Sequence, residues 1–402
     1  MMKLISKNRP FFGWDDLRSI LKIWEKGSVE RFERQFAEFV RAPYALAFPY
    51  ARSAIWIALL AWKDVRGGRE VIIPAYTCTA VPYSIIQAGL VPRFVDINLE
   101  TYMPDEGVMA GMVSSDTVAI MPVHTYGNIA DMDGLAAQLK DQEVLILEDS
   151  ALCPKPAFNS SLHGASASIY SFDYTKHLST IEGGMVATHN QALYEKLKKI
   201  RDTKFSKTCI HSSIRNLIHF FIRLFFFGER AYPLLDFFRS VRTLERYYDE
   251  RSLEKIALPE DFQSLLSPWQ GRIGLAQLAK AREIFEKRKK ISEFYYHALA
   301  GFRPDVIPQA SSANSLWSHY TVRITGRNSK NIIEKMRKAG VEVGLTFNYS
   351  LPELGVLRTY KDREFPNSTR AAGEMINLPN YPSLSNRQIH HVIDALKKAV
   401  VS

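Results

Sequence analysis

Two spacings of apolar residues alternate along the first half of the chain. In GSVERFERQFAEFV, residues 27–40, they recur every three or four positions, as on one face of a helix. The next apolar run, YALAF at Tyr44–Phe48, is short and continuous, and helical spacing then returns in SAIWIALLAW, Ser53–Trp62. Further short runs stand at Glu70–Pro74, Pro92–Ile97, Thr117–His124, Val144–Asp149, Ala167–Phe172 and Gly184–Thr188. A strand covered on both faces has no water-facing side to mark with polar residues. Continuous runs separated by helix-length segments therefore predict a largely parallel sheet between helices, an α/β domain over residues 1–208.

From about Cys209 the pattern changes to a stretch dense in Phe, Leu and Arg, residues 209–262. Two readings of it stay open. It is a helical pair covering the core or a dimer contact, or else residues 217–238 form an interfacial helix for a membrane or a lipid-bearing substrate. Phe and Leu beside Arg215, Arg223, Arg230 and Arg239 suit a headgroup boundary. The same mixture suits single-stranded nucleic acid less well, and no nucleic-acid partner is expected. One long helix is predicted over Ser267–Leu299. The remainder, through HYTVRI (His319–Ile324) to SNRQIHHVIDALKKAV at residues 385–400, reads as a smaller α+β domain, giving 263–402 as the C-terminal unit.

At 402 residues, 46% of them hydrophobic, the chain can bury a large core. Its net charge of +10 favours anionic partners without choosing among them. Cys78, Cys153 and Cys209 are odd in number and far apart, so neither a disulfide framework nor a zinc site is expected, and the histidines show no metal-ligand spacing. The N-terminus lacks the apolar region of a signal peptide. The longest apolar run, Leu217–Phe227, is broken by His219 and Arg223 and is too short to span a bilayer. A cytoplasmic protein is expected, with at most peripheral contact at the inner membrane face.

The candidate chemistry lies in SFDYTKHLSTIEGGMVATHN, residues 171–190, where Lys176 falls in a loop between two expected strands. Open α/β sheets bind ligands at the carboxyl ends of their strands. Asp149 ends VLILED, and Ser53 follows YALAF where a helix begins. An amine, a carboxylate and a helix N-terminus on one rim are what pyridoxal 5'-phosphate requires: a lysine to attach it, an acid to keep its ring nitrogen protonated, an anion site for its phosphate. Taken singly, each has an ordinary reading. Lys176 could be a solvated loop lysine, Asp149 a cap on the next turn, and Ser53 an N-cap.

The lysine segment resembles that of the DegT/DnrJ family of PLP-dependent sugar aminotransferases, whose usual form is S-F-x-x-x-K-x-[LI]-[ST]-x-x-E-G-G. Blocks such as VIIPAYTCTAVPYSIIQAGLVPRFVDINLETYMPD, PVHTYGNIADMDGL, LEDSA, GLAQL and FPNSTRAAGEMINLPNYPSLSN agree in order. The resemblance implies a type I PLP-dependent transferase fold, a homodimer with its sites at the subunit interface, and transfer of an amino group to a keto group of a nucleotide-linked sugar. Glutamate is the usual donor, and surface polysaccharide or glycolipid the usual destination. It implies that Lys176 attaches the cofactor and moves the proton, that Asp149 pairs with the ring nitrogen, and that Ser171 and Ser53 bond the phosphate.

The chain departs from the family at four places. Ala51-Arg52-Ser53 stands for S-G-T, Cys78 for an aromatic that covers the ring, Leu152 for a Gln or His, and Leu265 for a polar residue that reaches across the dimer. Arg52 is expected to replace the phosphate contact missing at Leu265. Because Lys176 is present, the dehydratase branch, which has histidine there, is disfavoured. His124, His319 and Tyr349 are substrate candidates, and His177 is expected to stabilise the loop. Two alternatives remain: an aminotransferase of this fold acting on a membrane-proximal carbonyl that is not a nucleotide sugar, and a binding or regulatory relative without turnover.

Overall fold

Seven strands form the large sheet, in the order β1-β7-β6-β5-β4-β2-β3. They are β1 (Tyr44–Phe48), β2 (Glu70–Pro74), β3 (Val91–Val95), β4 (Thr117–Ile120), β5 (Leu145–Asp149), β6 (Ser166–Ser171) and β7 (Gly184–Thr188). The computed structural model describes residues 4–155, 166–227, 232, 258–309, 315–326 and 329–401. All seven expected strands are present, and neighbours from β6 through β5, β4 and β2 to β3 pair in parallel. Strand β7 alone runs the other way, antiparallel to both β1 and β6. Strands β1 and β6 therefore share a direction, and the carboxyl ends of β1, β2, β4, β5 and β6 lie along one edge. The run Thr117–His124 ends early as a strand because Pro122 has no N–H to donate. Its carbonyl still accepts from Asp149 N at 2.9 Å, and His124 N donates to Asp149 O at 3.0 Å.

The helix predicted over Ser267–Leu299 is two helices. Residues Pro268–Ala279 and Ala281–Leu299 (here α9 and α10) meet at Lys280. The cause is tertiary. Helix α2 (Ser28–Phe39) lies so close to α9 that a Cβ on Gly274 would stand 2.6 Å from the Phe32 ring. At the junction the Lys280 ammonium is held by Asp15 at 2.8 Å and by Asp16, both on α1 (Trp14–Leu21).

The smaller sheet is antiparallel, β10-β9-β8, with β8 at Val306–Pro308, β9 at Tyr320–Ile324 and β10 at Met375–Leu378. Its core includes Tyr295 from α10, Ile332 and Met336 from α11 (Ser329–Lys338), and Val392 and Leu396 from α13 (Asn386–Val401). The chain between the small strands returns to the large core, where Phe347, Tyr349, Leu351 and Phe365 pack. Of the stretch 209–262, the structure describes α8 (Ile210–Phe226), Phe227, Tyr232 and the chain from 258. Beyond Phe227, the segment expected to be interfacial lies outside the described residues except for Tyr232. Among those residues no helix is long and apolar enough to cross a membrane.

Candidate active site

Asp149 closes β5, a strand buried along its whole length. Its Oδ1 accepts from Ala151 N at 2.9 Å. Burial pushes the carboxyl above the usual range for aspartate, and that hydrogen bond and the charge of Lys176 oppose the rise without cancelling it. A desolvated carboxylate without a full counter-charge is an uncomfortable group, and a cationic ring N–H is the kind of partner that would relieve it.

Glu148, one residue earlier, points to the other face, as strand alternation requires. It holds His124 Nε2 at 2.8 Å, Lys155 Nζ at 2.6 Å and the Ser168 hydroxyl. Burial alone would raise this carboxyl, but the His124 hydrogen bond and the Lys155 charge bring it down to about 2. Ala130 N donates to His124 Nδ1 at 3.1 Å, so the ring hydrogen sits on Nε2 and points at Glu148. Both nitrogens are used and the ring is fully buried. His124 braces the floor of the site; it does not face a substrate.

The Lys176 loop is built from local hydrogen bonds. Asp173 Oδ1 accepts from Thr175 N at 2.8 Å and Thr175 Oγ1 at 2.6 Å, and Lys176 N donates to Asp173 O at 2.9 Å. Further along, Ile181 takes φ +74°, strained for a β-branched residue at a cost on the order of 1–3 kcal/mol. It is held there in an apolar cluster with Ile20, Phe220 of α8, and Trp269 and Ile273 of α9. Gly184 is equally constrained, because a Cβ would stand 2.4 Å from Ala51 N. The loop's exit is thereby pressed against the start of α3 (Ala51–Arg66).

That helix start is the candidate anion site. The N–H groups of its first turn lack intrahelical acceptors. The hydroxyl hydrogen of Ser53 goes to Phe262 O at 2.7 Å, a residue far off in sequence, which leaves the Ser53 oxygen only as an acceptor. Arg52 is half-buried, its guanidinium 5.7 Å from the Tyr50 ring. Ser171, also half-buried, ends β6 opposite Gly184. If Arg52 meets the phosphate, Arg52→Ala should weaken cofactor retention about ten- to a hundredfold, the loss expected for one charge-assisted contact. Dialysis against a cofactor-free buffer, followed by the visible spectrum, measures it. Unchanged retention places Arg52 outside the site.

From the C-terminal part come His319 and Tyr349. The half-buried His319 ring lies edge-on to Tyr126 at 6.3 Å, its Nδ1 is 3.0 Å from Ser318 Oγ, and it is pushed down to about 3 by burial and then by the charges of Lys176 and Arg288. Lys176 thus acts electrostatically on Asp149 and His319 together. The Tyr349 hydroxyl accepts from Thr79 N at 3.4 Å, one residue after half-buried Cys78. Leu152 is buried in the core, whereas Leu265 is exposed and donates its N–H to Ser206 O at 3.1 Å. His177 is buried edge-on to Phe285, and burial, Arg288 and His319 depress it well below the histidine range.

The two parts meet at Gly127, whose φ is +97° and whose absent Cβ would stand 2.3 Å from Leu316 O. Tyr126 beside it takes φ +56°, and its hydroxyl lies 2.9 Å from that of Tyr76.

Sequence reasoning missed a second cluster at the start of α3. The Tyr50 hydroxyl lies 2.9 Å from Glu182 Oε2 and 2.7 Å from Asp261 Oδ1. Arg215 Nη2 reaches Glu182 at 3.1 Å and Asn216 Nδ2 reaches it at 2.9 Å, both from α8. The signal was present, since Glu182 is the acid of the E-G-G motif and Tyr50 precedes the phosphate turn.

A family model, that of the DegT/DnrJ/EryC1/StrS aminotransferase family, matches residues 18–218 and 242–397. The chain belongs to that family. It is a PLP-dependent aminotransferase, and its fold agrees with solved structures of that class. Helicobacter pylori PseC, an aminotransferase involved in the biosynthesis of pseudoaminic acid, superposes with a TM-score of 0.78 at 19% identity over 99% of this chain and 100% of its own. DesV of S. venezuelae gives 0.74 at 20% identity, over 99% and 100%. In sequence, the spore coat polysaccharide biosynthesis protein SpsC of Bacillus subtilis (strain 168) is 25% identical over 97% of this chain and 96% of its own. A pleiotropic regulatory protein of Geobacillus stearothermophilus is 26% identical over 92% and 88%. The DegT/DnrJ aminotransferase keeps Lys176 and Asp149 on one rim, as pyridoxal phosphate demands.

Proposed function

We propose that this aminotransferase moves an amino group from glutamate to a keto carbon of a nucleotide-linked sugar, in the making of a surface polysaccharide or glycolipid. The observation that carries the reading is the meeting of Lys176, the desolvated Asp149 and the α3 N-terminus on one sheet edge. The sugar is supported by the family and by relatives such as SpsC and PseC.

Bound there, pyridoxal phosphate would supply an electrophilic carbon and a cationic ring that draws electrons from the substrate carbon. The chain's own residues would do the rest. Asp149 holds a proton on the ring nitrogen. The N–H groups of Ala51 and Arg52, with Ser171, orient the phosphate. The Lys176 amine takes the proton from the donor carbon and returns it on the other side of the transfer. Neutral His319 and Tyr349 border the space the sugar would enter. We place the enzyme in the cytoplasm as a homodimer.

Adding glutamate to the purified, cofactor-loaded protein should convert its visible spectrum to that of the amine form of the cofactor. A 3-keto or 4-keto nucleotide sugar should then restore the starting spectrum. If common amino donors leave the spectrum unchanged while the cofactor is attached at Lys176, the reading fails.

A further inference from the structure

Helix α8 turns a mixed face inward, with Leu217 and Leu224 packed beside its buried residues. Ser212, Asn216 and Phe220 are buried. Asn216 bonds Glu182, and Ser213 Oγ accepts from Trp269 Nε1 at 2.8 Å. The outward residues are Ile210, Ile214, Ile218, Phe221 and Phe225, spaced to fall on one stripe, with exposures of 75%, 54%, 53%, 37% and 51%. Surface helices of soluble proteins ordinarily turn charged and polar residues to that side. The stripe is continuous with α1, because Trp14, itself 68% exposed, lies edge-on to Phe225 at 6.4 Å. Leu21, seven positions along, shares the face of Trp14, and exposed Trp24 follows.

Charge shows what such a face fits. Helix α8 carries no carboxylate, although its Arg215 is turned to Glu182 and Asp261 and its Arg223 lies over the Tyr174 ring at 3.7 Å, so the cations that edge the face come from α1 and its end. Arg18, Lys22 and Lys26 are exposed on and just after α1. The acids nearby are already matched: Asp15 with Lys280 at 2.8 Å, and Glu25 with Arg31 at 2.8 Å and Lys22 at 3.4 Å. An apolar stripe edged by Trp and cations complements the boundary between anionic headgroups and acyl chains. The family model stops at 218 and resumes at 242, so Phe221, Phe225 and Phe226 lie in a stretch that the common family pattern does not include.

We infer that α8, with the outer face of α1, docks this protein on an anionic lipid surface. The inference stands on the surface alone and is independent of the sugar substrate proposed above. The full chain, loaded with cofactor, should float with vesicles of phosphatidylcholine mixed with phosphatidylglycerol. It should float less with phosphatidylcholine alone, and less again as salt screens the charges. Tryptophan emission should shift to the blue as Trp14 and Trp24 enter the boundary. Replacing Ile214 and Phe225 together by serine removes two exposed apolar side chains and should weaken partition about ten- to a hundredfold. Amino transfer in solution should be unchanged, which shows that the variant is folded. The proposal is overturned if wild type stays unbound with mixed vesicles, or if the double variant floats equally well. It is also overturned if the double variant's molar mass by light scattering falls to that of a single chain, since the face is then a contact between copies.

Discussion

Lys176→Ala abolishes amino transfer and leaves no bond between protein and cofactor that borohydride can fix. The lysine amine is the base placed to move the substrate proton, and such a group contributes about 10²–10⁴-fold by itself. Loss of the attachment point removes the starting state of the cycle as well. The fold should survive, because among the described residues the Lys176 side chain makes no hydrogen bond or ion pair and its backbone N–H keeps its bond to Asp173. Borohydride reduction, proteolysis and mass spectrometry should find the label on the peptide containing Lys176 in wild type and nowhere in the variant. A labelled lysine elsewhere, or turnover within tenfold of wild type, would falsify the assignment.

Asp149→Asn should be nearly as damaging for a different reason. The amide keeps the shape and the bond from Ala151, but it puts no negative charge beside the cofactor ring. Removing one member of a buried charge pair costs about 3–5 kcal/mol, or on the order of a hundred- to several-thousandfold in cofactor affinity. The wild-type pH dependence supplies a second readout. Burial raises the Asp149 carboxyl in the cofactor-free protein. A carboxyl raised in the folded state stabilises that state at low pH, and the contribution is lost as pH rises through its folded pKa. Binding a cationic ring reverses this by favouring the ionised carboxylate. Cofactor affinity should therefore fall as pH drops through the raised range in wild type, and that step should be absent in Asp149→Asn. Thermal shift titrations across pH, with and without cofactor, measure both; an identical pH profile for the two proteins would remove Asp149 from the ring nitrogen.

The large sheet was legible because parallel strands buried on both faces must be continuous apolar runs, and little else in a chain has that form. Lys176 and Asp149 were legible because they stand where such strands end. What could not be read depends on residues distant in sequence. The break at Lys280 needs Asp15, Asp16 and the approach of α2. The commitment of Ser53 to Phe262 spans the molecule. His124 was a substrate candidate because it stands on the PVHTYG loop of the family pattern, and its pairing with Glu148 on the neighbouring strand could not be read from sequence. The stripe on α8 was visible as a pattern, but a pattern does not say which side of a helix is turned inward.

The contact at Gly127 bears on how the molecule moves. With no room for even a methyl group between the loop after β4 and the segment before β9, the two halves cannot swing apart there without breaking backbone contacts. Tyr126, next to Gly127, stands at this seam and carries the edge-on contact to His319. Any side chain added at Gly127 would therefore be felt in both halves at once, because it must displace the backbone at Leu316.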